Sequence, residues 1–414
     1  MKIAQINVNY GFGSTGIIVR DLQQLCFDNG IDCEVIYSKK DGKVLHGYSI
    51  GNYLSNKLHA LFSRIAGKQG YFSFLSTIRL LNHFRENKPD IIHLHNLHSC
   101  YINLPMLLNY IKNENIPVVL TLHDCWFYTG GCCHYTSVAC DRWKSKCGSC
   151  PKRRHEVNAI LIDGTSSTLS DRYKFFNKIK QLYVVGVSQW IVNEAKQSVF
   201  KEAFGLAIHN GIDVNFFRHV DSDLRKKLGL EDKFVILAPS NKWFLDDNID
   251  TFNYFASRLT DDMKIVFIGS GCEDNRLTDR MINYGFISSR EEIRAVYSMA
   301  DVMINCTREE SLSLLNVEVQ SCGTPVVTYS NTGVKETVDG ICGFAVENGN
   351  PKSMWSKMML IKQLGKNHFS SACRDWVTKE FDKDSNYKKY LELYLNVYDN
   401  HISQSSIKKL NRKY

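Results

Sequence analysis

Two glutamates, Glu310 and Glu318, are the side chains in this sequence whose types and spacing most clearly favour chemistry. They lie eight positions apart, slightly more than two helical turns. If one carboxylate lies at the start of a helix and the other about two turns later, both side chains could point into one cleft. The first would sit beside a helix N-terminus, where free backbone amides suit a polar ligand. Two solvated helix residues would show the same spacing, so the pair alone leaves both interpretations open.

A glycine-rich loop near the N-terminus provides a second candidate. Residues Gly11–Gly16 fit the pattern G-x-G-x-x-G between a predicted strand and a predicted helix. Such a loop allows positive φ and close backbone approach to an anionic group. A dinucleotide site also expects an acidic residue closing the second strand, whereas Glu34 lies within that strand. We therefore expect Gly13 and Gly16 to face an interdomain cleft; a dinucleotide site and a plain tight turn are the alternatives.

Cysteines form a third candidate group. The chain has 14 of them, and six lie in the segment 125–150. Cys147 and Cys150 form a C-x2-C pair, which with Cys140 and one of Cys132 or Cys133 would give the four thiolates that zinc favours. We take Cys132 as the fourth ligand. Reduced packing thiols and disulfide or redox chemistry are the alternatives, and disulfides fit less well because the N-terminus has no signal-peptide pattern.

The net charge of +8 is unevenly distributed. Residues 51–85 contain no Asp or Glu, and basic side chains alternate there with aromatic ones. The C-terminal tail adds Lys408, Lys409, Arg412 and Lys413. Basic and aromatic residues on one segment suit an anionic lipid surface. The alternative is a solvated basic face over a buried apolar stripe, and no motif indicates a nucleic-acid partner.

These candidates must be positioned by a two-domain α/β fold. The length of 414 residues exceeds one ordinary domain, and 44% hydrophobic with 23% charged residues is a globular composition. No apolar run is long enough for a membrane-spanning helix. Short apolar runs alternate with helical segments, which predicts two doubly wound, Rossmann-like halves. The predicted strands are Lys2–Val8, Asp32–Tyr37, Ile91–His95, Val118–His123, Tyr183–Val187, Val235–Ala238, Lys264–Ile268, Val302–Asn305, Pro325–Thr328 and Gly343–Val346.

Several segments in order resemble a known family. The stretch 310–318 resembles the E-x7-E element of retaining glycosyltransferases of family 4, which have the GT-B fold. Segment 89–95 is similar to the family's P-D-I-I-H-x-H strand, and 121–124 resembles its T-x-H-D loop. Further similar segments are 187–188, 210–213, 323–327 and 332–336. A cysteine-rich insertion after T-x-H-D is similar to a subgroup among capsule and colanic-acid-type enzymes.

The resemblance implies a domain arrangement. An N-terminal acceptor domain would span residues 1–208, with the cysteine-rich insertion at 125–150. A C-terminal nucleotide-sugar domain would span residues 209–385, facing the first across a deep interdomain cleft. A C-terminal helix and basic tail would occupy residues 386–414.

The resemblance also implies roles for individual residues. Glu310 would contact hydroxyls of the donor sugar near the reacting face, and His123 would lie beside that sugar. Glu318 would bind the ribose hydroxyls, since an ionised carboxylate is a pure acceptor, and Ser311 and Leu312 would lie by the donor. The anomeric configuration would be retained, with the leaving diphosphate assisting the acceptor proton. No divalent metal is implied for the transfer step.

One segment departs from the family pattern. The family has an Arg, then a Lys five residues later followed by Gly, to hold the diphosphate. Lys242 can stand for the Arg, although it offers a point charge instead of a bidentate fork. Asp247 stands at the Lys position and Asn248 at the Gly position. Either the loop is displaced or another cation substitutes.

The sequence leaves two main candidate functions, which experiments must distinguish. The first is a retaining glycosyltransferase (EC 2.4 class) that uses a UDP- or GDP-sugar and a lipid-linked or oligosaccharide acceptor in bacterial surface polysaccharide synthesis. It would be cytoplasmic and peripheral on the inner face of the membrane. The second is a non-catalytic or altered-donor GT-B protein that binds sugar nucleotides or glycans. A nicotinamide oxidoreductase is a third, less favoured interpretation.

Overall fold

The computed structural model describes residues 1–410, and for Asp274 and residues 405–410 it describes the backbone alone. The predicted basic tail of Lys408, Lys409, Arg412 and Lys413 therefore lies outside the described side chains. Two compact units make up the chain. The first comprises residues 1–208 and the chain from Tyr387 onward, and the second comprises residues 209–386.

The first unit contains a seven-stranded parallel sheet in the order β5-β3-β1-β6-β7-β8-β9 and a separate β2–β4 pair. Its strands are β1 (Lys2–Ile6), β2 (Asn9–Tyr10), β3 (Asp32–Tyr37), β4 (Lys39–Lys40), β5 (Gly47–Ser49), β6 (Ile91–Leu94), β7 (Val118–Leu122), β8 (Leu182–Gly186) and β9 (Phe204–Ala207). Its helices are α1 (Gly13–Asp28), α2 (Tyr53–Ala66), α3 (Phe74–Glu86), α4 (Leu104–Glu114), α5 (Thr165–Phe176) and α6 (Gln189–Ala195).

The second unit contains a six-stranded parallel sheet in the order β12-β11-β10-β13-β14-β15. Its strands are β10 (Phe234–Pro239), β11 (Met263–Ile268), β12 (Met281–Gly285), β13 (Val302–Asn305), β14 (Val326–Tyr329) and β15 (Phe344–Val346). Its helices are α7 (Leu224–Lys227), α8 (Ser240–Trp243), α9 (Ile249–Ala256), α10 (Arg290–Met299), α11 (Leu314–Ser321), α12 (Pro351–Leu364) and α13 (Asn367–Phe381), and α14 (Lys383–Leu410) begins here.

Apolar side chains cover both faces of each parallel sheet, as crossover helices require. In the first unit, one core contains Trp126 and Leu107, and the opposite core is closed by Tyr390 and Tyr394 of α14. In the second unit, Trp243 and Phe255 lie in a core against β10 and β11. The predicted pair of doubly wound α/β halves is therefore confirmed.

The strand orders locate the ligand-binding edge of each sheet. Successive strands run outward from β1 in one direction and from β6 in the other, so the topological switch point lies between β1 and β6. The corresponding point in the second unit lies between β10 and β13. Ligands of open α/β sheets bind outside the carboxyl ends of the strands at such points. The residues that matter therefore follow β1, β6, β10 and β13.

Candidate functional site

In the second unit, a buried asparagine joins the two loops at the switch point. Asn248 is fully buried, and its amide nitrogen donates to the backbone carbonyls of Lys242 and Cys306, both at 2.9 Å. Its amide oxygen accepts from Nε of Arg308 at 2.9 Å. This residue occupies the position where the family pattern has glycine. It fixes the loop after β10 to the loop after β13 and orients a guanidinium there.

The two acidic residues that depart from the family pattern lie away from this contact. Asp246 and Asp247 are exposed in a short 3₁₀ turn, Asp246–Asn248. Lys242, in contrast, is part-buried, and both it and Arg308 act electrostatically on the Cys306 thiol. Two cations therefore lie near the carboxyl ends of β10 and β13, the second of which was not identified from the sequence.

Glu310 lies in a fixed loop and outside the helix that follows. The helix α11 begins at Leu314 with Ser313 as its N-cap, so Glu310 lies in the loop that leads into the helix N-terminus. The Thr332 hydroxyl donates to the Glu310 carbonyl at 2.6 Å, and the Asn331 amide donates to the Arg308 carbonyl at 2.8 Å. The backbone on both sides of this part-buried carboxylate is therefore held by the loop after β14.

Polar atoms without partners accompany Glu310 in this loop. Ser311 and Thr307 are 4% and 1% exposed, yet neither hydroxyl has a hydrogen-bond partner among the described residues. Leu312 beside them is buried. Buried polar atoms are nearly always satisfied, so such a pair indicates that something else supplies the missing bonds.

Glu318 contacts helix α10, whereas the backbone at Glu310 contacts the loop after β14. It lies on α11, and the Tyr297 hydroxyl of α10 donates to its Oε2 at 3.1 Å. Burial raises the pKa of the Glu318 carboxyl from 4.5 to about 7, although the Tyr297 bond acts in the opposite direction. The side chain is therefore a part-buried acceptor whose charge changes near neutral pH.

In the first unit, three histidines line the carboxyl ends of β6 and β7. His93 contacts the hydroxyls of Tyr394 and Thr121 at 2.6 and 2.8 Å. His95 Nδ1 lies 3.0 Å from His123 Nε2, and His95 Nε2 lies 3.1 Å from the Gln5 amide oxygen. Burial lowers the pKa of His123 to about 4 and that of His95 well below its ordinary value. These rings are neutral at physiological pH.

The chain of contacts fixes the tautomer of His123. The Gln5 amide nitrogen donates to the Val19 carbonyl at 3.3 Å, which leaves its oxygen to accept from His95 Nε2–H. His95 Nδ1 then accepts from His123 Nε2–H. His123 Nδ1 is left as a bare acceptor, and it is buried without a partner in the described part of the chain. The predicted site residue thus presents a hydrogen-bond acceptor at the sheet edge.

The two glycines predicted to face a ligand, Gly13 and Gly16, differ in their exposure to solvent. Gly13, with φ of 64°, begins α1 and is exposed. Gly16 is buried, and a Cβ there would lie 3.2 Å from Asn9 Cβ, so it allows α1 to pack closely on the strand region. Ligand contact by either residue stays a prediction.

The predicted metal ligands Cys132, Cys140, Cys147 and Cys150 line one small cavity. All 14 cysteines are free thiols. A second group, His98, Asp124 and Cys133, brings its potential ligand atoms within 4.8 Å of one another. His98 and Asp124 already contact each other at 3.0 Å.

The basic segment 51–85 exposes many of its large apolar side chains, although Leu80, Leu81 and Phe84 of α3 are buried. The exposed large ones are Tyr53, Leu54, Leu58, Leu61 and Phe62 of α2, and Phe74, Leu75 and Ile78 of α3. On α2 the buried residues are polar, namely His59 and Ser63. The alternative of a solvated basic face over a buried apolar stripe is therefore wrong for α2. Within the described residues, no helix combines the length and apolar character needed to cross a bilayer.

Comparison with known proteins identifies both halves of the chain. Residues 16–216 match the model of Glycosyltransferase Family 4, and residues 233–361 match that of Glycosyl transferases group 1. The putative colanic acid biosynthesis glycosyl transferase WcaC of Escherichia coli K12 is 24% identical over 97% of this chain and 100% of its own length.

Solved structures show the same fold. Anabaena HepE in complex with UDP superposes with a TM-score of 0.65 at 16% identity, covering 96% of this chain and 100% of that one. Sucrose-phosphate synthase of Thermosynechococcus elongatus gives a TM-score of 0.68 at 15% identity, covering 96% and 99%. With two matched domains and a GT-B fold, the chain belongs to the family 4 glycosyltransferases and is an enzyme of the EC 2.4 class.

Proposed function

We propose that this enzyme is a retaining glycosyltransferase that transfers a sugar from a nucleoside diphosphate sugar to a lipid-linked or oligosaccharide acceptor during bacterial surface polysaccharide synthesis. The observation that carries the donor assignment is the bridge made by Asn248 between helix α8, which bears Lys242, and the loop after β13, which bears Arg308. The similarity to a colanic acid enzyme supports the polysaccharide class.

We place the donor diphosphate at the side chains of Lys242 and Arg308. Negative charge develops on the leaving diphosphate, so cationic side chains at that point stabilise the transition state. Arg308 offers the planar fork that Lys242 lacks. We assign Arg308 as the substitute for the family lysine whose position holds Asp247. Solved HepE structures contain UDP and UDP-glucose, which favours a UDP-sugar over a GDP-sugar.

The sugar and ribose are placed at the three predicted side chains. Glu310 accepts from hydroxyls of the donor sugar, and the unpartnered hydroxyls of Ser311 and Thr307 supply further contacts in the same loop. Glu318 accepts from the ribose hydroxyls in its ionised form. His123 Nδ1 accepts from a sugar hydroxyl, since the contact with His95 holds its only proton on Nε2. The leaving diphosphate takes the acceptor proton, and the anomeric configuration is retained.

We propose that the enzyme meets its acceptor at a membrane surface. The exposed apolar side chains of α2 and α3 alternate with Lys57, Arg64 and Arg79 in a segment without acidic residues. Apolar insertion together with attraction of roughly 1 kcal/mol per basic residue suits an anionic leaflet. The enzyme would then work peripherally on the cytoplasmic face, where lipid-linked acceptors are presented.

A transferase with an altered donor is the second candidate, and Asp247 at the family lysine position favours it. A panel of UDP- and GDP-sugars separates the two functions. We expect one donor to release its nucleoside diphosphate in the presence of a membrane lipid extract. Release from none of the UDP- and GDP-sugars would support the second candidate.

Glu310→Gln tests the site. We expect kcat to fall about 100-fold or more, because a group that contacts the reacting sugar contributes most in the transition state. The exposed carboxylate of Glu231 in the same unit provides the control variant Glu231→Gln, which should turn over like the wild type. Product anomer analysis by NMR completes the test, and an inverted linkage would exclude retention.

A further inference from the structure

Three side chains that could bind a metal meet beyond the ends of β6 and β7. His98 follows β6, Asp124 follows β7, and Cys133 lies nine residues further along the chain. A ring nitrogen, a carboxylate oxygen and the sulfur of this group all lie within 4.8 Å of one another. Among the described residues no other three His, Cys, Asp or Glu side chains have that spacing, and the predicted cysteine ligands therefore lack it. The geometry favours a metal site at this edge of the first sheet.

The distances within the group are close to those of a bound ion. His98 Nε2 lies 3.0 Å from Asp124 Oδ2. Nitrogen and oxygen ligands at about 2.0–2.1 Å from a tetrahedral zinc ion lie about 3.3 Å from each other, and a sulfur at about 2.3 Å lies about 3.6 Å from both. The three ligand atoms therefore need only small movements to bind one ion.

His98 and Asp124 are both oriented through the atom that does not face the group. His98 Nδ1 lies 3.3 Å from the Ser99 hydroxyl oxygen. Asp124 Oδ1 accepts from the Trp126 N–H at 2.8 Å, which leaves Oδ2 directed at His98. Partners of this kind on the outer atom are typical of metal-binding histidines and carboxylates, because they fix the tautomer and the direction of the inner atom.

The backbone at the other ligands is held as well. The Cys133 N–H donates to the Glu156 carboxylate at 3.0 Å, and its carbonyl accepts from the Cys125 N–H at 2.9 Å. Directly after His98, Ser99 and Cys100 have φ of 85° and 62°, the left-handed region that such residues rarely adopt. Backbone of this kind persists only where the surrounding structure holds it, and it occurs often at ligand sites.

An ion pair between protonated His98 and Asp124 is the alternative interpretation. It accounts for the contact of 3.0 Å but gives no role to the Cys133 sulfur that lies beside the pair. A zinc ion in place of the shared proton uses all three groups. One thiolate, one carboxylate and one neutral imidazole cancel the two positive charges of zinc, and a neutral complex is the least costly to bury.

From these contacts we propose that His98 Nε2, Asp124 Oδ2 and Cys133 Sγ bind one zinc ion. On binding, the thiol proton of Cys133 and the proton shared by His98 and Asp124 pass to solvent. Three protein ligands leave the fourth position open, as in zinc sites that bind water or a ligand oxygen. His98 and Cys133 border a polar cavity of about 310 Å³, from which water fills that position.

The ion would act on the predicted site through the chain itself. Asp124 directly follows His123, so a metal that holds the Asp124 carboxylate also fixes the backbone from which the His123 ring projects. The zinc site does not depend on the identity of the donor or the acceptor. Its failure would therefore leave the proposed transferase activity untouched.

Metal analysis of the untagged full chain, purified under reducing conditions without chelators, tests the proposal. We expect zinc to be bound, and X-ray absorption at the zinc edge should show one sulfur at about 2.3 Å with nitrogen and oxygen ligands at about 2.0–2.2 Å. Cys133→Ser and His98→Gln should each lose this ion. Cys150→Ser is the matched control, because it removes a thiol of the other cysteine group, and it should keep the ion.

Three outcomes would overturn the proposal. Metal-free wild type that takes up no added zinc would leave an ion pair beside a free thiol. Retention of the ion in Cys133→Ser together with its loss in Cys150→Ser would place it among the other cysteines. Three or four sulfurs in the absorption spectrum of the wild type would do the same, and this measurement decides the question even if the variants fail to fold.

Discussion

The replacement Glu318→Gln should stabilise the free enzyme while impairing it. Burial raises the pKa of Glu318 to about 7 in the folded chain, against 4.5 ordinarily. The folded state thus binds a proton more tightly than the unfolded state, and stability falls as pH rises from 4.5 through 7. Since a tenfold difference in proton affinity is about 1.4 kcal/mol, the ionised carboxylate costs up to about 3 kcal/mol above pH 8. Glutamine removes that cost.

Urea unfolding at pH 5.5 and pH 8 measures the effect. The free energy of unfolding of Glu318→Gln, relative to the wild type, should be higher by about 1.4 kcal/mol at pH 5.5, one pH unit above 4.5, and by about 3 kcal/mol at pH 8. The exposed control Glu231→Gln should show no such change between the two pH values. An equal difference between Glu318→Gln and wild type at both pH values would refute the reasoning.

Nucleotide binding provides an independent measurement of the same group. If ribose hydroxyls donate to ionised Glu318, binding must release its proton at a pH where the free enzyme is protonated. Calorimetry with UDP in buffers of different ionisation enthalpy should detect release of up to about 0.9 proton at pH 6 and about 0.1 at pH 8. Glu318→Gln should bind UDP more weakly and release none.

Three further predictions concern the other groups. Arg308→Gln should weaken UDP binding about 10- to 100-fold, since hydrogen bonds to a charged group contribute about 1.5–3 kcal/mol. Arg258 is exposed on the same unit, so the control variant Arg258→Gln should bind UDP like the wild type. An equal loss of affinity in both variants would remove Arg308 from the donor site. His123→Ala should lower kcat more than it changes KM. In the Glu318→Gln background, which lacks the group that titrates near pH 7, activity between pH 6 and 8 should show no titration of His123, whose pKa burial lowers to about 4. Steady-state kinetics across that range checks both. Leu61→Glu should abolish sedimentation with anionic vesicles but preserve turnover of a water-soluble acceptor, and unchanged sedimentation would argue against the membrane surface.

The alternation of short apolar runs predicted the buried strands well. The strands at Asp32–Tyr37 and Val302–Asn305 coincide with their predicted bounds, and the others differ by one or two residues. Edge strands such as β5, β9 and β12 escaped prediction. Each is the outermost strand of its sheet and has a neighbouring strand on one side alone, so its sequence contains fewer apolar residues.

The orientation of the helices in the basic segment could not be predicted from periodicity. On α2 the apolar side chains are exposed and His59 with Ser63 is buried, which reverses the usual pattern of a helix on a core. The sequence indicated the composition of this surface but gave no way to tell which face points outward.

The residues of the proposed donor site could be chosen from the sequence only in part. The sequence pointed to Glu310, Glu318 and Lys242, but it missed Arg308 and the buried amide of Asn248 that orients it. An Arg two residues before Glu310, directly after a buried strand, was an available signal. Its contact with a residue 60 positions earlier depends on tertiary structure and could not be predicted locally.

The last helix completes a domain that the chain began nearly four hundred residues earlier. Tyr390 and Tyr394 cover one core of the first unit and hydrogen-bond with Thr121 and His93. During synthesis the ribosome must therefore make the whole second unit before the first can bury that face. Premature termination before Tyr387 would release a chain with an open apolar surface and an unsatisfied histidine, a substrate for chaperones and proteases instead of a folded first unit.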